Sequence, residues 1–251
     1  MKFGLEKRVA LVTGSGRDTG REIALSLAAE GATVAVNYNH SAKEALEVVR
    51  AIEGAGGKAR AYKANVADLS DVRAMVDGVV RDFGRLDILV NNAGYVVREN
   101  FVDTTPQTWK SQIDVGVYGP IHTCHAAVPH MIAGKYGRII NFAGDSSRVG
   151  ESGLAIAGAA RAGAIALVKS LAKELGRNNI TANAISLGLV ETSHSDPKWM
   201  EQFRERVTKM YPVRRLGSPS DVAPMVVLLA SDAGAWITGQ VISVNGGFSM
   251  V

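Results

Sequence analysis

The chain begins its regular structure with Arg8-Val9-Ala10-Leu11-Val12-Thr13 and continues with Gly14-Ser15-Gly16-Arg17-Asp18-Thr19-Gly20. The first, almost wholly apolar run predicts a parallel strand that is buried on both faces. A helical pattern at residues 23–30 follows the glycine-rich turn. A strand, a glycine loop and a helix in this order predict the first unit of a doubly wound α/β sheet.

Length and composition predict a single domain that spans residues 1–251. Of the 251 residues 47% are hydrophobic, which is enough for one α/β domain with a buried sheet. The one cysteine, Cys124, fits a reducing compartment and argues against a disulfide framework or a metal site. The charged N-terminal segment lacks the apolar region of a signal peptide, and no apolar run approaches the length of a membrane span. We therefore expect a cytoplasmic protein without a membrane partner.

The charge pattern gives no sign of nucleic-acid binding. The net charge is +4, and no block of like charges forms a basic or acidic tail. A locally basic stretch at residues 198–215 is accounted for by a solvated helix face, although a patch near an acidic ligand or partner is the alternative.

Two further stretches carry a resemblance to a known family. Leu86-Asp87-Ile88-Leu89-Val90-Asn91-Asn92-Ala93-Gly94 joins a buried strand to an Asn-Asn-Ala-Gly turn, and residues 236–247 form a last strand with a Gly-Gly turn. Together with the loop at residues 13–20, they resemble the short-chain dehydrogenases/reductases over residues 6–250. The resemblance implies a Rossmann-like single domain that binds NAD(P), with a mobile substrate lobe at about residues 190–215.

The catalytic set of that family is replaced throughout. The family uses an Asn, a Ser and a Tyr-x-x-x-Lys, and the matching positions hold Gly116, Gly144, Ala157 and Arg161. In the family's motif the lysine lies one helical turn from the tyrosine and lowers the pKa of the phenol that passes the proton. No tyrosine of this chain has a lysine four residues later. The resemblance therefore implies no catalytic residue, and we expect no dehydrogenase activity from this chain alone.

The phosphate-facing part of the cofactor site has also changed. Asp18 stands at the middle glycine of the family's loop, where the backbone approaches a dinucleotide diphosphate. A carboxylate about 5 Å from a phosphate would cost on the order of 3 kcal/mol at an effective dielectric near 20. A structural role for Asp18 is the favoured reading, because the helix dipole attracts an acid and residues 19–22 fit a capping box. A loop that still accepts a nucleotide with help from Arg17 stays open.

We expect no cofactor to be bound tightly. The residues that match the family's cofactor contacts are interpreted as vestiges, although the asparagines also stabilise the central sheet. They are Gly14, Gly20, Asn65, Asn91, Gly94 and Thr192. The segment 37–41 offers neither a carboxylate for a ribose hydroxyl nor an arginine for a 2′-phosphate, so the choice between NAD and NADP stays open.

Three functions remain possible at this point. The strands and the Ala/Gly-rich helix at residues 155–177 keep the family's pattern, whereas the changes gather at catalytic and phosphate-facing positions. We expect foremost a catalytically silent subunit that assembles with an active, NAD(P)-binding paralogue, with itself, or with both. The resemblance implies a hetero-oligomeric, tetrameric alcohol or hydroxyacyl-CoA dehydrogenase. The alternatives are a nucleotide-sensing regulator and a non-redox enzyme that uses Arg161 and nearby polar residues, namely Asp145, Ser146, Ser147, Arg148 and His194.

Overall fold

A seven-stranded parallel sheet forms the centre of the protein in the computed structural model, which describes residues 3–193, 195 and 197–251. The strands are β1 Val9–Val12, β2 Thr33–Tyr38, β3 Lys58–Lys63, β4 Ile88–Asn91, β5 Gly137–Gly144, β6 Ile180–Leu187 and β7 Val241–Val244. Their order is β3-β2-β1-β4-β5-β6-β7. This order confirms the predicted Rossmann-like, doubly wound fold, whose switch point lies between β1 and β4.

Helices cover both faces of this sheet. Within the described ranges they are α1 Asp18–Ala29, α2 Ala42–Gly54, α3 Leu69–Phe83, α4 Pro106–Ile113, α5 Gly119–Gly134, α6 Ala155–Leu175, α7 Pro197–Thr208 and α8 Pro219–Ala230. One core lies between the sheet and α1, α2 and α8, and the other lies under α3, α5 and α6. Successive β1 residues point to opposite cores, as the period of a strand requires.

Helix α1 begins five residues earlier than the apolar pattern predicts. Its first residue is Asp18, and its N-cap is Arg17, which contributes no side-chain hydrogen bond. The capping box predicted at residues 19–22 is therefore wrong, because Thr19 lies inside the first turn. The prediction of an acid at the helix N-terminus is confirmed. Asp18 adopts a φ of 51°, in the left-handed region that few side chains other than Asn and Asp adopt.

The long helix that runs towards β5 is interrupted, as its glycines and proline predict. Helix α4 ends at Ile113, a π-helical segment spans Asp114–Tyr118, and α5 follows directly. A Cβ at Gly116 would lie 3.0 Å from the Cβ of Ala160 on α6. The position of the family's asparagine is thus part of a tight contact between two helices.

One segment of the described residues is long and apolar enough to cross a membrane, by length and composition only, and this is residues 155–178. The core helix of a soluble protein meets the same criteria. Ala164, Val168 and Ala172 of this segment are buried in the protein core, which accounts for its apolar character. No group of three or more His, Cys, Asp or Glu side chains in these residues is placed to hold a metal ion.

Candidate functional site

A cleft of about 630 Å³ opens at the carboxyl ends of the strands beside the switch point. This is the place where open parallel sheets bind ligands. Five of the six residues predicted as cofactor contacts line it, and these are Gly14, Gly20, Asn65, Gly94 and Thr192. Five of the six predicted residues therefore lie around a single cleft.

Asn91 is the sixth predicted contact, and it faces the sheet instead of the cleft. Its side-chain amide donates to Asn141 Oδ1 at 2.8 Å, and its oxygen accepts from the Thr123 hydroxyl at 2.7 Å. The next residue, Asn92, lines the cleft and donates to the carbonyl of Thr13 at 2.9 Å. This corrects the assignment of Asn91 and supports the structural interpretation of the Asn-Asn-Ala-Gly motif, because Asn91 bridges β4 to β5 and α5.

The glycine loop after β1 is held from within the protein. Gly14 has a φ of +61°, and its N–H donates to Asn37 Oδ1 at 3.1 Å. The N–H of Ser15 donates to the backbone carbonyl of Asn37 at 2.9 Å. A Cβ at Gly20 would lie 2.4 Å from the carbonyl oxygen of Gly14, so only glycine fits where α1 passes the loop. The first two N–H groups of the loop are thus engaged by Asn37.

Asp18 ties the start of α1 to the segment after β6. Its carboxylate accepts from the N–H of Ser193 at 2.7 Å and from the Ser193 hydroxyl at 2.8 Å. Asp18 and Thr192 both line the cleft, and the Thr192 N–H donates to Ser195 Oγ at 3.1 Å. A negative charge therefore lies where a dinucleotide would bring its diphosphate, with the exposed Arg17 beside it. A carboxylate at this place in the cleft repels a diphosphate, so these residues fit that group poorly.

The catalytic positions meet beyond Gly94, where β5 ends. Arg161 extends from α6 so that its Nη1 lies 2.6 Å from the position that a Cβ of Gly144 would occupy. Its Nη2 lies 3.8 Å from the corresponding position of Gly94. A serine at position 144 would begin in the volume that the guanidinium occupies. Arg161 therefore fills the space left by the missing serine, and Ala157 is buried nearby in the same helix.

The environment of Arg161 is unfavourable to its charge. Burial lowers the pKa of the guanidinium, and the Glu151 carboxylate acts in the opposite sense. An arginine nevertheless stays protonated in a protein, so Arg161 attracts anions but does not act as a proton donor near neutral pH. Glu151 is itself bonded to Arg98 at 2.6 Å.

A buried polar cluster beside this site joins Asp145, one of the candidate polar residues, to Ser186 and Asn245. The Asp145 carboxylate accepts from the Ser186 hydroxyl and from the Asn245 amide, each at 2.7 Å. Asn245 stands where the family carries an aspartate, which would place a second carboxylate against Asp145. The Asp-to-Asn difference was the available signal, but only the fold brings residues 100 positions apart together. Of the other polar residues considered, Arg148 donates to the Ser243 hydroxyl, and His194 lies outside the described residues.

Comparison with known proteins gives consistent matches along almost the whole chain. The model of a family described as enoyl-(acyl carrier protein) reductase matches residues 15–249. The 3-oxoacyl-[acyl-carrier-protein] reductase FabG of Staphylococcus aureus (strain Mu50 / ATCC 700699) is 42% identical over 242 residues, which cover 96% of this chain and 98% of that protein. The FabG of Thermotoga maritima is 36% identical over 244 residues, which cover 97% and 98%.

Solved structures agree with these relatives. A short-chain type dehydrogenase/reductase from Mycobacterium marinum matches with a TM-score of 0.93 at 30% identity, over 100% of this chain and 98% of that one. A dehydrogenase/reductase from Sinorhizobium meliloti 1021 matches with a TM-score of 0.92 at 31% identity, over 99% and 98%.

Proposed function

Because the chain belongs to the short-chain dehydrogenase/reductase family, we propose that it is a catalytically silent subunit that assembles with an active paralogue of the same fold. The family typically uses NAD(P), which the paralogue would bind in order to oxidise an alcohol or a hydroxyacyl-CoA. The proposed assembly is of the kind formed by the subunit pair of the hydroxy(phenyl)methylsuccinyl-CoA dehydrogenase of anaerobic toluene breakdown, which is one that this chain looks like. Its expected location is the cytoplasm.

The observation that carries the proposal is the position of Arg161 against Gly144. Removing one acid or oxyanion donor typically slows an enzyme by orders of magnitude. Here the phenol position is Ala157, and the hydroxyl position is taken up by a guanidinium 2.6 Å from where the serine side chain would start. A guanidinium at the position of the serine side chain supports loss of the reaction more strongly than the absence of the serine alone.

The cofactor cleft supports the same conclusion. Asp18 places a carboxylate at the diphosphate position and holds Ser193 with two hydrogen bonds. A dinucleotide would have to approach this charge and separate these partners. We therefore propose that the chain binds no dinucleotide tightly, which disfavours the nucleotide-sensing alternative.

Exposed apolar side chains support assembly as the retained function. Four large apolar side chains are each 37–50% exposed on α4, the π-helical segment and α5. They are Trp109, Ile113, Tyr118 and Ile121. Helix α6 adds an exposed stripe of small residues, namely Ala155, Ala159, Ala162 and Ala166. Trp236, just before β7, is 99% exposed. Exposed large apolar side chains are typical of protein interfaces, and small side chains let helices approach closely.

The experiment is co-expression with a paralogue that has the complete Ser-Tyr-Lys set. Ala159→Leu places a bulky side chain on the exposed stripe, and Ala74→Leu makes the same change at an exposed position of α3. Gly163 is a poorer choice, because a side chain there meets Val117 of the same chain at 3.6 Å. We expect Ala159→Leu to abolish co-purification and to lower the paralogue's activity at least tenfold, whereas Ala74→Leu changes neither.

Two results would overturn the proposal. One is dehydrogenase turnover at a typical rate by this chain in a preparation shown to lack any paralogue. The other is a monomer by light scattering at micromolar concentration together with a paralogue that works equally well alone. In the second case the non-redox enzyme takes its place, because Arg161 and Ser146 are polar groups at the former catalytic centre.

A further inference from the structure

Two polar side chains without protein partners converge on Gly144. Arg161 Nη1 lies 2.6 Å from the Cβ position of Gly144, and Ser146 Oγ lies 3.5 Å from the same point. Ser146 is 9% exposed. Within the part of the chain that the structure describes, neither the guanidinium nor this hydroxyl has a hydrogen-bond partner. The donors therefore face one small region at the end of β5.

Arg138, a fully buried arginine, shows how this protein can satisfy a guanidinium, whereas Arg161 is partly buried. Arg138 is 1% exposed and donates to the carbonyl oxygens of its neighbours Gly137, Asn179 and Ser231 and to the Asp232 carboxylate. A buried charge without such partners costs several kcal/mol. Arg161 differs from Arg138 in this respect, and its donors are available to an acceptor that the chain does not itself supply.

We propose that the Arg161 guanidinium and the Ser146 hydroxyl form a binding site for a small monocarboxylate. The planar fork of a guanidinium matches the two oxygens of a carboxylate, and a serine O–H donates to either oxygen. Gly94 and Gly144 place no side chain against the guanidinium. Gly94 also lines the 630 Å³ cleft, from which a ligand would have to reach Arg161 and Ser146, neither of which lines the cleft itself.

The charges around the site favour a monoanion over a phosphate. Arg161 is one cation, and the Glu151 carboxylate already acts on it although Glu151 is bonded to Arg98. The buried Asp145 carboxylate, between Gly144 and Ser146 in sequence, and Asp18 on the wall of the cleft add further negative charge. A divalent phosphate would be repelled by these acids and offered only one cation, whereas a carboxylate needs only one. The site requires no catalysis and is independent of the subunit proposal.

The test is calorimetric titration of the full chain with sodium acetate. We expect saturable binding that Arg161→Met abolishes and that Arg161→Lys weakens about tenfold, because an ammonium lacks the planar fork. Ser146→Ala should weaken binding roughly fivefold, the usual effect of one hydrogen bond. Arg177→Met is the matched control, because it removes the same charge at an exposed position and should leave the affinity unchanged.

Three results would overturn the proposal. The first is a titration of the unmodified chain that does not saturate, and the second is equal acetate affinity of the Arg161→Met and Arg177→Met variants. The third comes from competition: chloride or phosphate displaces acetate at the same concentration as formate does. Circular dichroism checks the fold of each variant. If Arg161→Met does not fold, Arg161→Lys and Ser146→Ala decide the matter, and unchanged affinity in both rejects the site.

Discussion

Replacing Asp18 with glycine should raise the affinity of the chain for NAD(H) about a hundredfold. The carboxylate would lie about 5 Å from a diphosphate in the loop, and at an effective dielectric near 20 the repulsion is about 3 kcal/mol. That free energy corresponds to roughly a hundredfold in the dissociation constant. Glycine also releases Ser193, which Asp18 holds through its N–H and its hydroxyl.

The substitution should leave the fold intact. Asp18 has a φ of 51°, which glycine adopts without the roughly 1 kcal/mol or more that a side chain costs in the left-handed region. This gain offsets part of the two lost hydrogen bonds, which lie at an exposed site where water replaces them. A melting temperature within a few degrees of that of the unmodified chain checks this point.

The assay is calorimetric titration with NADH and NADPH at low and high salt. Asp18→Asn separates charge from shape, because it removes the carboxylate and keeps the size of the side chain. Asp77→Asn on α3 is the matched control, since its side chain is 74% exposed and lies outside the cleft lining. Tight binding by the unmodified chain, or equal affinities of the Asp18→Gly and Asp77→Asn variants, would refute the electrostatic argument.

Three further predictions concern residues that are packed inside the protein. Gly20→Ala should lower the free energy of unfolding, measured by urea denaturation, by several kcal/mol, because the new Cβ would lie 2.4 Å from the Gly14 carbonyl oxygen. Gly54→Ala is the control and should have little effect, because no atom lies within 4 Å of its new Cβ. Arg138→Met should cost about 3–5 kcal/mol in the same assay, because it leaves buried carbonyls without a donor. Burial raises the pKa of the Cys124 thiol to about 12, so the thiol should react with a disulfide reagent at pH 8 only in denaturant. The contribution of the protonated thiol to the free energy of unfolding should be lost as the pH rises from about 9 to about 12.

The sequence predicts most of the fold because each element carries its own signal. The apolar runs at β1 and β4 mark strands buried on both faces, and the glycines near position 116 mark the interruption before α5. The start of α1 was missed because it has no capping side chain and no apolar residue in its first turn. It depends on Asp18 in a left-handed conformation, and the carboxylate of Asp18 is held by Ser193, 175 positions away in the sequence.

The candidate site is less accessible to sequence reasoning. Motif spacing identifies Gly144 and Arg161 as altered positions, but spacing along α6 does not say that the arginine reaches across the end of β5. The side of the strand on which Asn91 points is likewise decided by its partners, Asn141 and Thr123, and not by the motif. Contacts between distant segments carry this information, and such contacts appear only once the sheet is assembled.

The residues at the positions that match the family's catalytic set pack against one another. Arg161 occupies its position only because Gly144 has no side chain, and a serine there would force the guanidinium to move from a point 2.6 Å away. Ala160, one residue before Arg161, likewise restricts the size of the residue at position 116. A Cβ at Gly116 would lie 3.0 Å from the Cβ of Ala160. Beside them, the amide of Asn245 serves the Asp145 carboxylate, which an aspartate at the same position would repel. Because these residues are in close contact, a larger side chain at Gly144 or Gly116 would meet the side chain of Arg161 or Ala160 unless that side chain moved.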